Sequence, residues 1–137
     1  MNERSAPEGT TILVVEDDPS LCRCLESALR KEDRRVITAL NGQQAVKQTL
    51  REKVDVVLLD FKTPGLSGIG TLRHLLELDP GLAVIVFTAY GSVESAREAM
   101  RFGAYDYLTK PLDLSLLEDV VADSIHLKHK SPVDKGQ

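Results

Sequence analysis

The chain has little that would suit it to a charged polymer, a membrane or the outside of a cell. Its net charge is −4 over 137 residues, and its lysines and arginines form no basic stripe. That balance excludes nucleic acid as its main direct partner. No apolar run approaches the roughly 20 residues that cross a bilayer. The segment from Met1 to Gly9 lacks the apolar stretch of a signal peptide, so the expected compartment is the cytoplasm. There are only two cysteines, Cys22 and Cys24. They stand two apart on a predicted helix, about 200° around its axis, and so cannot easily bridge each other. No further ligands complete a thiol metal site, and free thiols, buried or half-buried, are expected. Repeats and low-complexity tracts are absent as well.

What is present is enough for one domain, since 42% of the residues are apolar. Four apolar runs each stop at a polar group. Thr11-Ile12-Leu13-Val14-Val15 runs into Glu16-Asp17-Asp18, and Val54 to Leu59 stops at Asp60. Ala83 to Phe87 stops at Thr88, and Tyr105 to Thr109 stops at Lys110. Short runs rich in β-branched residues, separated by helical patterns, predict strands of a parallel sheet buried on both faces. A weaker strand is expected over Arg35–Ala39. Helices are expected over about Pro19–Lys31, Gln43–Glu52, from a cap at Ser67, from a cap at Ser92, and over Leu114–Lys128. Their inward faces are read as Leu21, Cys24, Leu25, Ala28 and Leu29 in the first, and Ala45, Val46, Thr49 and Leu50 in the second. The third should turn in Ile69, Leu72, Leu75 and Leu76, the fourth Val93, Ala96, Ala99 and Met100, and the fifth Leu114, Leu117, Val121 and Ile125. Asp18 before Pro19 fits an N-cap with proline at the first helical position, and Gly103 fits a helix end. Five strands alternating with five helices make a three-layer α/β sandwich. Such sheets bind ligands outside the carboxyl ends of their strands. Acids, a hydroxyl and an ammonium gathered there suit a divalent cation and a phosphoryl group.

Taken in order, these strand ends resemble the receiver domain of bacterial two-component response regulators. The likeness covers about residues 11–128 and includes Ile12 to Asp18, Asp60 with Pro64-Gly65 beyond it, Thr88-Ala89-Tyr90-Gly91, and Gly103 to Pro111. It implies a doubly wound (βα)5 fold with a five-stranded parallel sheet in the flavodoxin-like order 2-1-3-4-5. It implies that Asp60 accepts a phosphoryl group, with Mg²⁺ held by Glu16, Asp17, Asp60 and the backbone carbonyl of Lys62. By the same likeness Thr88 bonds the phosphoryl group, Lys110 pairs with it, and Tyr107 is the aromatic switch. The implied donor is a sensor histidine kinase or a phosphotransfer protein. The implied recipient of the signal is an output protein or domain, or a second receiver, met by the surface of helix four, strand five and helix five. Lys62 and Tyr90 would flank the path of the hydrolytic water. Thr63 stands where many receivers have methionine, and Lys62 brings a cation close to the metal loop.

Other readings are kept beside these. Asp18 is expected as a helix cap rather than a metal ligand, and Tyr105 competes with Tyr107 for the switch role by strand alternation. Arg97, Arg101, His126 and His129 are expected on solvated faces. A dehalogenase-like phosphohydrolase would need Asp-x-Asp after the first strand, where Glu16-Asp17-Asp18 stands instead. A flavin carrier would need a hydroxyl- and glycine-rich loop at that point, and a receiver-like module without phosphorylation would lack Asp60 or Lys110. Residues 1–10 are expected as a flexible leader and 129–137 as a flexible tail, which leaves no room for an output domain. The chain is then a stand-alone receiver or a piece of a longer regulator. The wording from Thr88 to Ser92 resembles receivers of nitrogen-regulation-type transcription activators.

Overall fold

The computed structural model describes residues 9–62, 68–89 and 91–128. Ten elements alternate along the chain: β1 Thr10–Val15, α1 Pro19–Leu29, β2 Arg34–Ala39, α2 Gly42–Arg51, β3 Val56–Asp60, α3 Gly68–Leu78, β4 Ala83–Thr88, α4 Val93–Arg101, β5 Asp106–Thr109 and α5 Leu114–Lys128. All strand pairs are parallel, in the order β2-β1-β3-β4-β5, as the sequence implies. Parallel pairing aligns every strand's carboxyl end on one edge of the sheet. No helix among the described residues is long and apolar enough to cross a membrane.

Two cores result, one on each face of the sheet. Ile12, Val14, Val56, Leu58, Ile85 and Phe87 point to the face covered by α1 and α5. Leu13, Val15, Val57, Leu59, Val84 and Val86 point to the face covered by α2, α3 and α4. The alternation is the strand's period of two, and both faces being covered explains why β3 and β4 are buried at every residue. Each full leucine burial contributes roughly 2 kcal/mol.

Local chemistry sets the helix starts. Asp18 accepts a hydrogen bond from the Ser20 N–H at 2.9 Å, with Pro19 opening α1. Asn41 accepts from the Gln44 N–H at 2.9 Å, and Asp113 accepts from the Ser115 and Leu116 N–H groups at 3.0 and 3.1 Å. α4 ends in a Schellman turn: Gly103 at φ 104° donates to the Met100 carbonyl, and Ala104 donates to that of Ala99.

Several inward faces differ from the expectation. In α1 the buried residues are Cys22, Leu25 and Leu29, whereas Cys24 and Ala28 are exposed. The helix turns the other thiol in, and Cys22 Sγ donates to the Glu16 carbonyl at 3.1 Å. Leu50 in α2, expected inward, is 67% exposed; Gly42 and Ala45 take the inner positions. Val93 and Met100 in α4 are 74% and 47% exposed, and the buried residue of that helix is Ala99. The reason is the narrow support beneath α4, since β5 is a four-residue edge strand. Leu114, at the first turn of α5, is also exposed, while Leu117 and Val121 are buried. The expected cap at Ser67, the residues Thr63 and Pro64-Gly65, Tyr90, His129, and most of the expected leader and tail lie outside the described residues.

Candidate functional site

The carboxyl edge of the sheet collects the acids. Glu16 follows β1 directly, and its N–H donates to the Ala39 carbonyl at 3.0 Å, which holds it in line with the sheet. Asp60 is the last residue of β3, and one of its oxygens, Oδ1, accepts from the Lys62 N–H at 2.9 Å. Lys110 follows β5 and is fixed by its own N–H donating to the Thr88 carbonyl at 2.9 Å. Its ammonium then reaches back across two strands. Nζ lies 3.0 Å from Glu16 Oε1 and 3.0 Å from Asp60 Oδ2, and 5.3 Å from the centre of the Phe87 ring. One carboxylate oxygen from each of Glu16, Asp17 and Asp60 falls within 4.8 Å of the others. Asp18 is outside this trio and caps α1, as expected.

Electrostatics follow from burial. Glu16 is 1% exposed and Asp60 3%. Burial pushes the Glu16 carboxyl up to about 7; Lys110 opposes this and the neighbouring Asp60 adds to it. Burial would lower the Lys110 ammonium, but its hydrogen bonds to Glu16 and Asp60 outweigh that and hold it above its ordinary value. Lys110 thus bonds two of the three acids, whose combined charge exceeds its own. A second, hard cation with oxygen ligands fits that excess. Oxygens around Mg²⁺ stand at most about 4.2 Å apart, twice its 2.0–2.1 Å bond length, so only small side-chain turns separate this trio from a ligand set.

The other groups come from the opposite face. Strand alternation puts Asp60 and Phe87 on the α1–α5 side and Thr88 and Tyr107 on the α4 side, and the contacts of the Lys110 ammonium with Glu16, Asp60 and the Phe87 ring place Lys110 and Glu16 with the former. Tyr107 is paired in register with Val86, two residues before Thr88, so the two are neighbours on one face. Thr88 is buried and lines a cleft of about 220 Å³ with Phe61, Lys62 and Ser95. Tyr107 is half-buried, its ring edge-on to Phe61 with centroids 6.4 Å apart. Its hydroxyl lies 2.6 Å from Ser95 Oγ.

Tyr105 does not share that place. It packs on the α5-side core, and its N–H donates to the Val84 carbonyl at 2.7 Å. It precedes β5, so strand alternation does not extend to it. Arg97, Arg101 and His126 are exposed, as expected. Phe61 and Ser95 are the residues that sequence reasoning missed. The only signal for Ser95 was its spacing of three from the cap Ser92.

Comparison with known proteins matches the response regulator receiver domain family over residues 12–122. The chain belongs to that family. Receivers of this kind are phosphoacceptor switches in two-component signalling, and the chain is a signalling domain of that class. It is 41% identical over 118 residues to the transcriptional regulatory protein ZraR of Escherichia coli, covering 86% of this chain but 27% of that protein. It is 35% identical over 117 residues to sporulation initiation phosphotransferase F of Bacillus subtilis, covering 85% of this chain and 94% of that one. A CheY-like receiver domain protein from Methanospirillum hungatei superposes with a TM-score of 0.83 at 25% identity, over 88% of this chain and 96% of that one. The chain therefore spans about a quarter of the first relative and nearly all of the second.

Proposed function

We propose that residues 11–128 form a cytoplasmic receiver in which Asp60 accepts a phosphoryl group from a phosphohistidine on a sensor kinase or phosphotransfer protein. The observation that carries this reading is the placement of Lys110 Nζ 3.0 Å from both Glu16 and Asp60, with Asp17 completing the acidic trio. Glu16, Asp17, Asp60 and the Lys62 carbonyl would hold Mg²⁺. When bound, the ion supplies positive charge against the phosphoryl oxygens.

The chain's own residues do the rest. An Asp60 carboxylate oxygen attacks phosphorus, forming a P–O bond while the P–N bond to the donor imidazole breaks and that nitrogen keeps the electron pair. The Lys110 ammonium neutralises charge on the equatorial oxygens, and the Thr88 hydroxyl donates a hydrogen bond to one of them. Drawing Thr88 towards the phosphoryl group changes the wall beside Tyr107. The surface of α4, β5 and α5 then offers an output partner, or a second receiver, different contacts in the two states. No external substrate is turned over beyond this self-catalysed transfer and slow hydrolysis.

Both relatives bear on the output. The one of similar length supports a relay role for a free receiver, and the longer one supports an attached regulatory output. Intact mass after incubation with acetyl phosphate tests the core of the reading. One added phosphoryl group is expected with Mg²⁺ and none after chelation. No adduct on the unaltered chain, or an equal adduct on Asp60→Asn, would overturn the assignment.

A further inference from the structure

We infer that Ser95 is a positioning residue for Tyr107, tying the aromatic ring of β5 to the cap of α4 so that displacing the tyrosine loosens that helix's first turn.

The hydroxyl inventory points this way. Ser92 caps α4, its Oγ accepting from the Ser95 N–H at 3.0 Å. In return the Ser92 N–H donates to Ser95 Oγ at 3.3 Å. A serine hydroxyl has one hydrogen and two lone pairs. Ser92 Oγ also donates to Ser95 Oγ at 3.1 Å, and Ser95 Oγ donates to the Ser92 carbonyl at 3.3 Å. The Tyr107 phenol oxygen, at 2.6 Å, is the nearest of all these groups to Ser95 Oγ. Both halves of the capping box are donated by backbone N–H groups, so the Ser95–Tyr107 contact joins the phenol to an intact box whichever hydroxyl donates.

Two features make this bond matter to the helix. Serine is shorter than the glutamate or glutamine that usually closes such a box. Its long reach to Ser92 depends on the side chain being held in place, and the phenol holds it. Moreover, Ala99 is the buried residue of α4, so little packing compensates for a weakened start. Gly91 supplies the room: a Cβ there would stand 3.2 Å from the Tyr107 hydroxyl and 2.6 Å from Thr109 Cγ2.

The significance for signalling rests on Tyr107 as the moving aromatic of the proposed function; the linkage itself is tested without phosphorylation. In the unphosphorylated chain, Tyr107→Phe removes only the hydroxyl. Amide exchange followed by NMR is expected to quicken roughly three- to tenfold at Ala96 and Arg97, as for a weakened cap, and to stay unchanged in α5. Ser95→Ala should do the same, Ser95→Thr should remain near the unaltered chain, and the double variant should be no faster than Ser95→Ala alone. Unchanged exchange in Tyr107→Phe, or effects that multiply in the double variant, would overturn the inference. Failure of Asp60 to take a phosphoryl group would remove the switch reading and leave this cycle intact.

Discussion

Arg34 and Glu118 meet in a two-point ion pair, Nη1 to Oε1 and Nη2 to Oε2, each at 2.8 Å. Arg34 opens β2, so this pair ties α5 to the edge of the sheet opposite the acidic trio. Lys31 adds a third bond to Glu118 at 3.0 Å. Parallel, charge-assisted bonds of this kind are the stronger sort.

Loss of that clamp should cost stability in a pH-dependent way. The Arg34 guanidinium holds the Glu118 carboxyl below its ordinary value, with burial opposing and Lys31 assisting. A lowered folded-state value means that the stabilisation is present above the unfolded value and is lost as pH falls through the folded one. Glu118→Gln is expected to lose about 1–2 kcal/mol in urea unfolding at pH 7. The gap to the unaltered chain should close in acid, below the ordinary value of 4.5. A gap that is the same at pH 7 and pH 3 would deny the ionic origin.

Glu16 should behave in the opposite sense. Its carboxyl is raised from 4.5 to about 7, so the folded chain prefers it protonated. Folding is unpenalised below the unfolded value and increasingly penalised as pH rises towards 7. In chelator, Glu16→Gln should therefore be more stable than the unaltered chain at pH 8, by up to roughly 3 kcal/mol, and equal to it near pH 4.5. Adding Mg²⁺ should raise the melting temperature of the unaltered chain more than that of the variant. Thermal scans with and without Mg²⁺ at the two pH values decide it.

Lys110→Ala removes the ammonium that faces the attacking carboxylate. Phosphorylation of Asp60 by acetyl phosphate is expected to slow by about 10²-fold, the usual loss for one preorganised charge or donor at developing negative charge. The time course of the intact-mass adduct at saturating Mg²⁺ measures this. An unchanged rate would take Lys110 out of the chemistry and leave it as a structural partner of the acids.

The proposed relay makes a spatial prediction. On phosphorylation, NMR shifts should spread from Asp60 through Thr88 to Tyr107 and the start of α4. Changes confined to the turns at residues 17 and 60–62 would refute transmission along the α4 face.

The sequence was legible wherever one residue type has few uses. An acid, a hydroxyl or an ammonium closing a buried apolar strand has little reason to stand there except a shared edge, which is why Glu16, Asp60 and Lys110 could be picked out and lie in contact, with Thr88 at the same edge on the other face. Apolar residues carry less information, because exposure costs each of them little. Leu50, Val93 and Met100 fitted a helical stripe, but nothing in the stripe states how far the sheet extends beneath the helix. Cys24 and Cys22 differ by two positions on one turn, and packing rather than composition chose between them. Tyr105 was misplaced because alternation holds only inside a strand, and β5 begins one residue later. The Arg34–Glu118 clamp and the Ser95–Tyr107 bond depend on contacts between distant segments for which local pattern has no mark.

The division of the rim between two faces has a consequence for traffic. The acids and Lys110 rise from the flank of α1 and α5, whereas Thr88 and Tyr107 descend on the flank of α4. The packed sheet separates these flanks, and they meet only over its end. In the proposed function a donor seated against α1 and a reader seated against α4 would approach from opposite flanks, and α5, which belongs to both, is the one element they would contest.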